Sequence, residues 1–397
     1  MAIKTSDLTT FDVPDESKVI DMADKIYLLR PSATPLTVIT GRTNKRPTTQ
    51  REFKWLEEAE GAISTQINNG AGYNNSATSI VVDDGAVFRP NDLAYLPATK
   101  ETVLVTAIST NTLTVTRGWG TLDGVGGVAA AAITDNDYIY NVGQALKENS
   151  DLPEQRINVE AAITNYTQIF RQPFGVSRSE KAINEYGGDR LAHLRLTQGI
   201  DFARKLEWAF LFGAKDSTTV GGATVQSTEG IFARVTSKVE DLADSVTYGG
   251  FESALESGFE YGADTKLFVV GRSLYTLLNQ VAGNRLEISS PSEKTFGLRI
   301  MTWHAAHGDV NIVPHPMLTG PLATHGVLLD VNELAIRPLV GNGENRDVKL
   351  EKDKQSPGKD GYIEEYIAEV GFEVRQEKKH CIIKSDTDAT ASKDANF

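Results

Sequence analysis

Histidines are the first residues to test for chemistry. His304, His307 and His315 fall within "WHAAHGDVNIVPH". Histidines three apart on a helix share a face that could hold zinc, given a third ligand nearby. This run is short and meets Gly308 and a strand-like stretch. No Glu follows the first His, so the zinc-protease pattern is absent and loop or packing histidines are expected. The glycine-rich "GTLDGVGGVAAAAI" and "VGNGENR" do not lie between a strand and a helix and lack a Lys-Ser/Thr ending. Neither is a phosphate loop, and Gly124, Gly126 and Gly127 read as loop residues. A Gly-x-Ser-x-Gly elbow is missing too. Glu57 with Glu58, and Glu364 with Glu365, are adjacent in strand-like runs. Neighbours in a strand point to opposite faces, so neither pair can share a substrate as acid and base, and both read as solvated. The single cysteine, Cys381 in "KKHCIIKS", supports neither an intrachain disulfide nor a thiolate cluster. It reads as a small buried hydrophobe. Trp119 in "RGWG" is the one aromatic that suggests a surface site, for a sugar or a partner; the plainer role is to anchor a turn. No catalytic residue, cofactor or metal is expected, and the chain does not read as an enzyme.

The elements around these residues say more. The chain has 397 residues, 40% of them apolar and 23% charged, enough for two or three domains with separate cores. No apolar run approaches the roughly 20 residues that cross a bilayer, and "MAIKTSDLTTFDVPDESKVID" lacks the apolar stretch of a secretory signal. A cytoplasmic site of synthesis, with release by lysis, is expected. A net charge of −13 argues against broad nucleic-acid binding, which needs Lys and Arg to replace counterions.

Residues 1–45 read as an arm. A short amphipathic helix carries Ile20, Ala23, Ile26 and Tyr27; Pro31 and Pro35 are expected to end it, with extended chain following. "REFKWLEEAE" alternates Phe53 and Trp55 with charge, as an exposed strand does. From 70 to 143 the chain turns rich in Thr, Val, Gly and Asn. It predicts short strands, including two around the Asp84-Gly85 turn and a hairpin of Thr102–Ile108 with Thr112–Arg117. This stretch reads as an inserted small all-β barrel or sandwich. Its flanks, 46–69 and 144–170, read as two arms of one long hairpin, the second ending in a strand over 158–170. "ITNYTQIFRQPFGVSRSEKAI" then leads into a helix over 189–212, capped by Asp189, apolar on more than one face and stopped near Gly213. Residues 239–324 hold a compact helix–strand–helix unit, with Ser273 as a cap and Leu274, Leu277, Leu278 and Val281 as a core face. A period-two strand carries Tyr366, Ala368, Val370, Phe372 and Val374, and 385–397 read as a flexible tail.

The order of parts, with "RPSATPLTVIT", "REFKWLEEAE", "ITNYTQIFRQPFGVSRSEKAI" and "LRLTQGIDFARKLEWAFLFG", resembles the major capsid proteins of tailed bacteriophages with the Hong Kong 97-type fold. The resemblance implies an α+β fold with an N-terminal arm (1–45) and an extended loop (46–69 and 144–170). It also implies a peripheral domain (171–238 and 325–384) built on the spine helix 189–212, and an axial domain (239–324). The β stretch at 70–143 is additional to the minimal fold. The resemblance further implies self-assembly as hexamers and pentamers into an icosahedral head enclosing double-stranded DNA, without sequence-specific binding and without a membrane. Portal, scaffolding protein or protease, and decoration protein are its implied partners. Phe53, Trp55, Tyr166, Ile169 and Phe170 become candidates for contact between subunits, with Trp119 a candidate on the insert's surface. Lys54 or Lys147 could supply a crosslink, as in some relatives. The alternatives are an encapsulin-like compartment shell, or a phage structural protein whose β-insert binds a carbohydrate or a decoration partner; a hydrolase has no visible machinery.

Overall fold

The computed structural model describes residues 34–120, 128–153, 157–183, 189–282 and 301–392. The chain forms two compact units, one from Met1–Trp55 with Ile163–Phe397 and one from Leu56–Ala162.

The first unit begins with helix α1 (Pro35–Thr43). Pro35 therefore opens a helix instead of ending one, because its missing N–H costs nothing in a first turn. The helix expected around Ile20 lies outside the described residues. After α1 the chain runs parallel to 336–339: Arg46 N–H donates to Ile336 O at 3.0 Å and Thr48 N–H to Pro338 O at 2.8 Å. Strand β1 (Glu52–Glu57) follows.

The second unit is a six-stranded sheet of β2 (Ser64–Gln66), β3 (Ser79–Val81), β4 (Asp92–Leu96), β5 (Glu101–Ser109), β6 (Thr112–Thr116) and β7 (Tyr138–Gln144), ordered β2-β7-β4-β5-β6-β3. An isolated bridge between Ile67 and Val82 joins the two ends, so the sheet curls on itself. Ile80, Ala94, Leu96, Val103, Val105, Leu113, Val115 and Ile139 fill the inside at alternate positions. Two expectations need correction. The sheet starts at Ser64, not at residue 70, because β2 pairs with β7. The strands on either side of Asp84-Gly85 are not hairpin partners: β3 pairs with β6 and β4 with β5 and β7, while Asp84 caps a short 3₁₀ turn. Inside the unit, Glu101 is fully buried and meets Arg117 at 2.7 and 2.6 Å, with the Gly118 N–H at 2.8 Å. Burial works to raise the Glu101 pKa, but the Arg117 guanidinium and these N–H groups outweigh it and hold the carboxyl below its ordinary value.

Returning to the first unit, the single strand expected over 158–170 is two. β8 (Ala161–Tyr166) pairs with β1, whereas β9 (Gln168–Ser177) enters a different sheet. Asn165 is the switch. It is buried, its amide donates to Phe372 O at 2.7 Å, and its side-chain oxygen accepts the Glu229 N–H at 2.9 Å. After α2 (Arg178–Ala182) comes the spine, α3 (Arg190–Phe212). Asp189 accepts the N–H groups of Leu191 and Ala192, and the Gly213 N–H closes the end on Ala209 O at 2.9 Å. Leu191, Phe202, Leu206, Phe210 and Leu211 are buried, but Leu196 is 56% exposed, so the spine is enclosed more fully in its second half than in its first.

An unpredicted hairpin follows, β10 (Asp216–Val220) with β11 (Ala223–Ser227). Gly221 and Gly222, at φ 59° and 82°, form the left-handed two-residue turn that matches strand twist. Next come α4 (Ile231–Arg234), β12 (Val239–Asp241), β13 (Ser245–Val246), α5 (Tyr248–Phe259), β14 (Thr265–Val270), α6 (Arg272–Ala282), β15 (Met301–His304), β16 (Asp309–Pro314), β17 (His325–Leu329) and β18 (Leu334–Pro338). The last are β19 (Val340–Gly341), β20 (Glu344–Asn345), β21 (Lys349–Glu351), β22 (Gly361–Val374), β23 (Cys381–Lys384) and β24 (Thr390–Ala391). Ser273 lies inside α6 and not at its cap.

Two sheets organise this unit. One is ordered β12-β23-β17-β14-β16-β15. It crosses the boundary expected at residue 324, because the buried run of β17 needs a neighbour on both edges and takes β14 and β23. One of its faces packs on α5 and α6 through Phe251, Leu255, Phe268, Leu274 and Leu278. The other face joins the spine core through Val269, Val327 and Leu329. The second sheet is built on β22, which pairs with β9, β18 and β21. The tail also departs from expectation. Ser385 is buried and β24 pairs with β13, so the chain stays ordered to the last described residue, Lys393 and beyond lying outside the description.

Candidate assembly surface

β22 shows what the first unit keeps for itself. Its apolar face, Tyr366, Ala368, Val370, Phe372 and Val374, sits in the spine core. Its other face carries Glu365, Glu369 and Glu373, each under 5% exposed. Arg171 binds Glu365 at 2.6 Å, Arg346 binds Glu369 at 2.6 Å, and Arg337 approaches Glu373 at 3.2 Å. Glu364, on the spine side, binds Arg195 at 2.6 Å, and that hydrogen bond draws its pKa below the ordinary carboxylate value. The solvated role expected for Glu364 and Glu365 is therefore wrong: each is buried against its own arginine. They do point to opposite faces, so no shared acid–base chemistry is available.

A second buried node fixes the visible part of the arm. Glu207, fully buried on the spine, accepts the Leu36 N–H at 2.8 Å and the Thr37 N–H at 2.7 Å, and the Thr37 hydroxyl also bonds to it. A carboxylate thus caps the N-terminus of α1, where free N–H groups and the helix dipole favour negative charge. His315 Nε2 lies 2.8 Å from the same carboxylate, while its Nδ1 accepts the Met317 N–H at 3.2 Å. His304 pairs with Asp309 at 2.6 Å in the β15–β16 hairpin. His304 and His315 thus serve separate structural contacts, and among the described residues no cluster of His, Cys, Asp or Glu has the arrangement of a metal site. Burial lifts the Cys381 thiol to about 12, which leaves no thiolate for nucleophilic attack. Lys266 is buried, with three carbonyl partners at 2.6–2.7 Å, and burial lowers its pKa to about 8.

The residues singled out for contact divide. Phe53 is 3% exposed and Phe170 8%, so both are taken up inside the chain. The Phe53 ring lies where a Cβ on Gly371 would sit, which is why β22 carries glycine there, and Arg337 stacks over that ring at 5.3 Å. Trp55 is half-buried and stacks on Phe53 at 6.0 Å; Tyr166 is also half-buried. Ile169 stays 45% exposed. Trp119 is half-buried, and its backbone N–H donates to Thr102 O at 2.9 Å. Lys54 pairs with Glu52 at 2.9 Å, and Lys147 is exposed.

The residues missed lie in the second unit, in the segments 56–63 and 145–162 that lead into and out of its sheet. Leu56 is 64% exposed, Ile63 67%, Leu152 96%, Ile157 75% and Val159 86%. Apolar exposure this dense is uncommon on a surface that meets only water. The signal in "KENSDLPEQRINVEAAI" is weak, because the alternation of Ile157, Val159, Ala161 and Ile163 is that of any strand and does not tell a core face from an exposed one.

Residues 4–388 match the model of the family described as SU10 major capsid protein. The chain belongs to the SU10 major capsid protein family. The major capsid protein of Pseudomonas phage PaMx41 is 24% identical to it over 328 residues, covering 79% of this chain and 76% of the relative. A solved structure from Mycobacterium phage Bobi is similar in fold, with a TM-score of 0.51 at 9% identity, over 96% of this chain and 99% of that one. The SrpI encapsulin of Synechococcus elongatus PCC 7942 scores 0.43 at 13% identity, over 59% and 80% of the two chains. This capsid protein has the α+β Hong Kong 97-type fold, is the major capsid protein of a tailed phage, and forms the virion shell by associating with its own copies.

Proposed function

We propose that the capsid protein assembles as hexamers and pentamers into an icosahedral head around double-stranded DNA, in the host cytoplasm and without chemistry of its own. The exposed apolar residues of 56–63 and 145–162 carry this proposal. Burying Leu152, Ile157 and Val159 on a neighbouring copy would contribute roughly 1.5–3 kcal/mol each. Repeated around a closed ring, such modest contacts add up to a stable shell. Ile169, with the half-buried Trp55 and Tyr166, offers a contact of the first unit's own. The enclosed DNA meets a protein of net charge −13, which suits a wall that does not hold its contents by phosphate contacts. A portal, a scaffolding protein or protease, and a decoration protein complete the proposed set of partners. Peripheral, axial and inserted parts are assigned as the resemblance implies, with the insert's sheet opening at Ser64.

Expression of the full chain with its genomic neighbours, followed by electron microscopy of the soluble fraction, tests the proposal. Rings of six and five copies, or closed shells built from them, are expected. A uniform monomer or dimer would refute it.

A further inference from the structure

The outer face of the second unit's sheet differs from the rest of the surface. Ser64 on β2 lies opposite Tyr140 on β7, Tyr140 opposite Tyr95 on β4, and Tyr95 opposite Thr102 on β5. Gln66 lies opposite Tyr138, Leu93 opposite Leu104, and Leu104 opposite Thr116. Val142 continues the row on β7. All alternate with the buried inward positions, so all ten belong to one face. None carries a charge, in a chain that is 23% charged. Tyr138 is 51% exposed, Tyr140 36% and Val142 64%, and the Tyr138 and Tyr140 rings sit 6.2 Å apart.

We propose that this face binds a neutral glycan. Its chemistry is aromatic rings and short aliphatic groups flanked by uncharged hydroxyl and amide groups of Ser64, Gln66, Thr102 and Thr116. A sugar presents the complement: apolar C–H faces edged by hydroxyls that both donate and accept. Size decides against a protein partner. Five strands spaced about 4.8 Å apart, with five residues rising about 3.4 Å each, give a platform of roughly 19 by 17 Å. A stable protein pair needs about 800 Å² on each side. A platform this small fits a short run of sugar rings, and its weak single-site affinity is multiplied by the many copies in a shell. The absence of charge selects neutral glycans over acidic ones, which the net charge of −13 also repels.

The test is affinity electrophoresis of assembled full-length protein through gels containing dextran, galactomannan or glycol chitin, each against a gel with alginate. Retardation by at least one neutral polymer and not by alginate is expected. Tyr138→Ala with Tyr140→Ala should abolish it, cutting apparent affinity more than tenfold with an unchanged melting temperature. Tyr138→Phe with Tyr140→Phe, which keeps the rings, should retain most of it. No retardation by any neutral polymer would overturn the proposal. So would equal retardation of the double-alanine protein, or loss of shell-to-shell association as its only effect, which would make this face a protein contact.

Discussion

At the scale of single residues, burial and pairing decide which groups are available for chemistry. His380 is fully buried, with Nδ1 accepting the Asp330 N–H at 3.3 Å and Nε2 donating to Arg375 O at 3.2 Å. Burial lowers its pKa to about 4. The unfolded chain binds a proton at this site near pH 6.5 and the native chain does not until about pH 4. Stability therefore falls as pH drops from about 6.5 to about 4, by up to roughly 3 kcal/mol from this residue. Urea unfolding of dissociated subunits at pH 7 and pH 5 should show a smaller drop for His380→Asn than for the natural chain; equal drops would contradict the assignment. Such roles were only partly legible. That Cys381 is buried followed from its apolar neighbours, and that Glu364 and Glu365 face apart followed from strand geometry. Their burial did not follow, because the arginines that balance them, Arg195 and Arg171, lie more than 160 residues away in sequence.

At the scale of elements, the spine helix, the central strand β22 and the helix–strand–helix unit were readable from period and caps. Misreadings occurred where a long-range partner overrode a local cue. Pro35 suggested a stop, yet the Glu207 carboxylate gives α1 a capped start. The run 158–170 suggested one strand, yet buried Asn165 splits it. The β10–β11 hairpin is legible in Gly221-Gly222 between Thr- and Val-rich runs. The Glu207 clasp makes a direct prediction. Glu207→Gln removes the charge that holds the start of α1, at a cost of about 1–2 kcal/mol. The backbone amides of Leu36 and Thr37 should then exchange with deuterium about tenfold faster, while those of Phe202 and Phe210 stay protected. Unchanged exchange at Leu36 and Thr37 would show that the clasp does not hold the arm.

At the scale of the whole molecule, the chain buries its polar ladders and leaves apolar residues outside. Glu364 and Glu365 on β22 are hydrogen-bonded to Arg195 and Arg171 of the same subunit, and removing either arginine would cost a few kcal/mol by leaving a buried carboxylate unpaired. Leu152, Ile157 and Val159 have no such internal role. The fold was legible in the order of its parts. The exposed apolar residues proposed to join copies were not, because a strand's outward apolar residues look the same in sequence whether water or a neighbouring copy covers them. The most direct measurement is sedimentation velocity of the full chain beside a Leu152→Ser, Ile157→Ser, Val159→Ser variant, each expressed with its genomic neighbours. The natural chain should sediment as capsomers or shells, and the variant as a small folded species with an unchanged circular dichroism spectrum. A variant that assembles as completely as the natural chain would contradict the central claim that these segments join the shell.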